Sequence, residues 1–202
     1  MKSNIVGVFT TLVVAFVILS VSFLKIATLT YTYSPMVLSE KVEIENPKKI
    51  DYVLAYQGKI GPDSSLWYLK VFRDKVWYAV SVKQLKKAEL NLLFADKRLN
   101  SSVLLFNNNK PDLGLSTLTK AEKYLEKAEG IMPEDMDLYK KIALSSLKHI
   151  EVIEYEILPV APDDLKPEII KIQNLSKETY RKIKEHMLSK GLVPPQNPFE
   201  TK

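Results

Sequence analysis

Seven residues spaced 3, 4, 3, 4, 3 and 4 apart constrain the fold of this chain more than any other feature: Leu85, Ala88, Leu92, Ala95, Leu99, Ser102 and Phe106. That spacing keeps a seam on one side of a helix. Small residues at every second position let another helix approach closely. A matching seam follows at Leu118, Ala121, Leu125, Ala128 and Met132. Between the two lies "NNNKPDLG", rich in residues that turn the chain. The pattern predicts helices over about 82–106 and 115–131, folded back on each other as a hairpin.

The chain on either side also reads as helix. Ser64 is placed to cap a helix running to about Val82, with Pro62 and Asp63 ahead of it. Leu69, Phe72, Val76 and Val80 share one of its faces, and Trp67, Val71 and Tyr78 share another. A helix apolar on two sides is expected between neighbours. Pro133, Glu134, Asp135 and Asp137 suit the start of a fourth helix that continues to about Leu158. A fifth is expected over about 165–190, closed by Gly191. The fold class is all-α, with a five-helix antiparallel bundle over 62–190 and a Pro-rich, frayed or extended tail over 191–202.

Ahead of the bundle, Ile5 to Leu24 run for 20 residues without a charge. At a rise of about 1.5 Å per residue this matches the ~30 Å core of a bilayer. Lys2 precedes the run, Lys25 follows, and Tyr31 and Tyr33 come at headgroup depth. The expectation is a cytoplasmic stub (1–4), a transmembrane helix (5–24), a stalk and lead-in (25–61), and the bundle on the extracytoplasmic side of the cell membrane. The rival is a cleaved signal peptide with small residues at Ser20 to Ser22, against which the run continues through Phe23 and Leu24. Both readings export the bundle.

Composition narrows the chemistry. With no Cys, the chain has no disulfide, no thiolate nucleophile and no Cys-held metal. Its 29 basic and 24 acidic residues are interspersed at helical spacing, which describes a solvated surface, not a nucleic-acid stripe. An apolar fraction of 46% supports a core.

"DYVLAYQGKIGPDSSLWYLKVFRDKVW", with "KKAELNLLFADKRL" and "LTKAEKYLEKA" after it, resembles the bacterial domain-of-unknown-function family 5667. The resemblance covers about Tyr52 to Ala128. Its most telling pieces are Pro62 to Ser64, Arg73-Asp74-Lys75, and Ala95 to Leu99. It implies a helical domain behind one membrane span, and it brings no activity and no catalytic residue.

Among the seam's neighbours, Glu89 and Asp96 fall on one flank and Arg98 on the other. With Arg73 and Asp74 one helix earlier, these five are expected to form an interhelical charge network. Trp67, Trp77 and Tyr78 are the candidates for a pocket wall. A di-metal bundle site needs Glu-x-x-His pairs. Neither His149 in "KHIEVIE" nor His186 in "KEHML" completes one, and no Gly-x-Ser-x-Gly elbow or phosphate-cradling glycine loop occurs. No catalytic residue, cofactor or metal is therefore expected. The leading expectation is an envelope interaction or structural module with a protein partner, and the alternative is an extracytoplasmic sensor or ligand-binding module.

Overall fold

In the computed structural model of this chain, residues 48–131 and 135–200 are described. The stretch 5–24 expected to span a membrane, the expected stub before it and the first part of the expected stalk lie outside them. So do Met132, Pro133 and Glu134. Among the described residues all regular structure is helical, and no helix is long and apolar enough to cross a membrane.

The five helices are α1 (Trp67–Val80), α2 (Gln84–Asn107), α3 (Pro111–Ile131), α4 (Met136–Val152) and α5 (Lys166–Ser189). The two heptad seams meet as expected. Ala88, Ala95, Leu99 and Ser102 of α2 are buried with Leu118, Ala121, Leu125 and Ala128 of α3. Each fully buried leucine contributes about 1.5–3 kcal/mol. Near the turn the backbones come close: the Ser102 hydroxyl donates to the Gly114 carbonyl at 2.8 Å. A Cβ on Gly114 would lie 2.9 Å from the Phe106 ring. Helix α3 begins four residues earlier than the pattern predicts, because Pro111 fits the first helical position and Asp112 complements the helix dipole. Asn109, with φ of 54°, makes the turn between them.

Helices α4 and α5 form the second hairpin. The Asp135 carboxylate accepts from the Leu138 amide at 2.8 Å and caps α4. The α-helical ladder stops at Val152, short of the expected Leu158. Residues Ile153–Ile157 widen into a π-helical turn, with the Leu158 amide donating to the Ile153 carbonyl at 2.9 Å. Pro159 follows and brings no N–H to continue the ladder. At the far end Gly191, with φ of 72°, closes α5. The Leu192 amide bonds the Met187 carbonyl and the Gly191 amide bonds that of Leu188, the pairing of a Schellman cap.

Helix α1 departs from its expected place between neighbours. Asp74 is its one buried residue among those described, while Leu69 and Phe72 are each 67% exposed. The reason lies in the lead-in. Ile50, Ala55 and Gln57 are buried, and the Asn100 amide of α2 donates to the Ala55 carbonyl at 2.9 Å. This strand-free segment occupies surface on α2 that a deeper α1 would need. Helix α1 rests outside it, with the Lys70 ammonium holding the carbonyls of Gln57 and Ile60. The Pro-rich tail folds back likewise. Tyr180 donates to the Pro195 carbonyl at 2.6 Å, and Phe199 packs against the core.

Candidate functional site

A buried polar layer crosses the four-helix core. On one side of it lies an apolar cluster including Leu92, Leu125, Leu147 and Ile183. On the other lies a second, including Leu99, Leu118, Ile153 and Ile169. Each of the four core helices supplies at least one group to the layer between them. The His149 Nδ1 of α4 meets the Glu122 carboxylate of α3 at 2.7 Å, and its Nε2 faces Asp96 of α2 at 3.4 Å. The Ser145 hydroxyl donates to Asp96 at 2.7 Å and the Tyr52 hydroxyl donates to it at 2.8 Å. The Ser176 hydroxyl of α5 donates to Glu122.

His149, Glu122 and Asp96 are 0%, 1% and 2% exposed. Burial on its own would drive the imidazole towards its neutral form. The negative field of Glu122 and Asp96, with the hydrogen bonds they accept, outweighs it and raises the His149 pKa to about 9. The ring is therefore an imidazolium at neutral pH, donating from both nitrogens. Such a layer favours one register of the four helices, since sliding any of them strands a buried charge. The carboxylates meet different ring nitrogens. Among the described residues no group of three or more His, Asp or Glu side chains is arranged to hold a metal.

Of the five residues of the expected charge network, Arg73, Asp74 and Arg98 stay in one neighbourhood, while Glu89 and Asp96 go elsewhere. Arg73 pairs with its own neighbour Asp74, at 2.7 Å. Glu89 pairs with Lys86 on the exposed edge of α2. Asp96 belongs to the polar layer. Arg98 is buried, stacks its guanidinium 4.3 Å from the Tyr124 ring centroid, and donates to the Phe94 carbonyl. Asp74 nonetheless sits among cations. Its field acts on Lys70, Lys97 and Arg98, all of which burial holds below their ordinary pKa values, Lys70 at about 8.

Beside this cluster a cavity of about 370 Å³ opens between α1, α2 and α3. Tyr78, Phe94, Tyr124 and Ile131 supply its apolar walls. Asp74, Lys75, Asn91 and Lys127 supply its polar groups. Of the three aromatics expected to line a pocket, Tyr78 does so. Trp77 stands behind the wall, edge-on to Phe94 at 6.4 Å. Trp67 lies under the Lys70 ammonium, 4.7 Å from its ring centroid.

Sequence reasoning did not find Tyr52, Glu122, Ser145, His149 or Ser176. One signal was available. Glu122 follows Ala121 as Asp96 follows Ala95, so both carboxylates take the same heptad position beside a small seam residue. On a lone hairpin that position is a flank, and a second hairpin laid across it turns the flank into core.

The chain belongs to a family of domains of unknown function, and the family is domain-of-unknown-function family 5667. Its model matches residues 59–160, reaching beyond the expected 52–128 through α4 and the π turn. No curated protein and no solved structure matches the chain.

Proposed function

We propose that this protein is a single-pass, membrane-anchored envelope component whose extracytoplasmic bundle binds a protein partner through α1, without catalysis. The observation that carries the reading is the outward face of α1. Tyr68, Leu69, Phe72, Val76 and Val80 are exposed there. An apolar face of this kind on a soluble domain marks an interaction surface. Leu69, Phe72, Val76 and Ala79 are spaced 3, 4 and 3 apart, the seam that receives a second helix. Arg73 and Lys75 border it, and Asp74, the one acid of α1, is turned inward. The occupant is then a partner helix with an apolar seam and acidic flanks. A second copy of the chain would bring like charges together. The run 5–24 supports the anchor.

Photo-crosslinking of the full-length protein in native membranes tests this. A photoreactive side chain at Phe72 or Val76 is expected to give one recurrent protein adduct. The same group at exposed Lys141 of α4 should not, and Leu69→Asp should abolish the adduct. Adducts with lipid alone, adducts with a second copy, or none at all would overturn the reading.

A further inference from the structure

The inward side of α1 carries a second, independent feature, the cavity it shares with the α2/α3 hairpin. We propose that this cavity is a binding site for a small carboxylate with an aromatic or branched apolar body. At about 370 Å³ it falls in the range of small-molecule pockets. The walls match such a body: Phe94 and Tyr124 meet edge to face at 5.6 Å, with Tyr78 and Ile131 beside them. Edge and face contacts to another ring suit this arrangement.

The polar groups select the charge. Asn91 is 1% exposed, and among the described residues its Nδ2 has no hydrogen-bond partner. A buried donor left unpaired is a standing penalty, and a ligand acceptor reaching it removes that penalty. Asn91 is among the residues that line the cavity, and its Nδ2 is closed off from water. Exposed Lys75 and Lys127 add two ammonium groups to the lining. The one acid there, Asp74, already accepts from Arg73 at 2.7 and 3.1 Å and lies in the field of Lys70, Lys97 and Arg98. Donors outnumber free acceptors, and the surplus charge is positive. A ligand carboxylate suits Asn91 and the lysines together, whereas an ammonium would meet a single acid outnumbered by cations.

Isothermal titration of the full-length chain with phenylacetate, indole-3-acetate and the amine phenethylamine tests this. The carboxylates should bind saturably, and the amine should bind roughly tenfold or more weakly. Asn91→Leu and the surface change Lys127→Gln should each weaken phenylacetate binding severalfold, the second without touching the core. Absent binding, equal or tighter binding of the amine, or unchanged affinity in Lys127→Gln would overturn the proposal. Because the docking face of α1 points the other way, its failure leaves this site standing, and the reverse holds too.

Discussion

His149 is the residue on which the interior depends most. Its folded pKa of about 9 lies above the free value of 6.5. The stability it contributes is therefore complete below about pH 6.5 and is lost as pH rises through 9. Lys70 acts with the opposite sign. Its folded value of about 8 lies below 10.5, so folding favours the neutral amine, and stability from that group grows between those pH values. Between pH 6.5 and 7.5 the histidine dominates, and Lys70 offsets only part of its slope towards the upper end. Urea unfolding there should show stability falling with pH, towards a limit of about 1.4 kcal/mol per pH unit. The His149→Leu variant should lose that slope, and an unchanged slope would show that His149 is not an imidazolium between two carboxylates. His149→Leu should also cost roughly 3–5 kcal/mol by leaving Asp96 and Glu122 without their cation. Replacing all three with leucine should recover much of that loss, because no buried charge then remains in that layer.

Between elements, the closest fit is at the turn of the α2/α3 hairpin. Gly114 is needed for its lack of a side chain, since a Cβ there would press on the Phe106 ring at 2.9 Å. Gly114→Ala should therefore destabilise by about 1–3 kcal/mol despite the gain in helix propensity. Phe106→Leu added to it should relieve part of the loss, so that the two changes are not additive in thermal unfolding. Strict additivity would mean the ring yields without cost. Leu99→Ala, in the middle of the same seam, should cost about 2–5 kcal/mol by opening a cavity. The seam was legible from spacing, and the α2/α3 turn from its Asn, Pro and Gly residues. The stopping point of α4 was not, because a π turn depends on how the chain meets Pro159 and the core beneath it.

For the whole molecule, exposure separates two classes of apolar residue that look alike in sequence. Phe72→Asp on the outward face of α1 should leave thermal stability within about 0.5 kcal/mol of the parent while removing the partner adduct. Leu125→Asp, equally apolar by position but 0% exposed, should unfold the domain. Circular dichroism melts of the two variants check this directly. If Phe72→Asp were strongly destabilising, α1 would be packed against something within the chain and the docking face would not exist.

Residue order by itself determined the all-α class, the paired seams and the helix-ending Gly191, because each rests on local spacing or local backbone geometry, and it carried the family through the resemblance of whole stretches. Tertiary structure decided everything that depends on which flank of a helix is covered. Asp96 and Glu89 occupy the same heptad position, yet one is buried against His149 and the other pairs with Lys86 on the surface. Leu69 and Leu99 are both apolar positions on helices, yet one faces out and the other in. Periodicity specifies which residues share a face of one helix. What that face meets depends on how the second hairpin and the lead-in pack across it, through contacts between residues far apart in sequence.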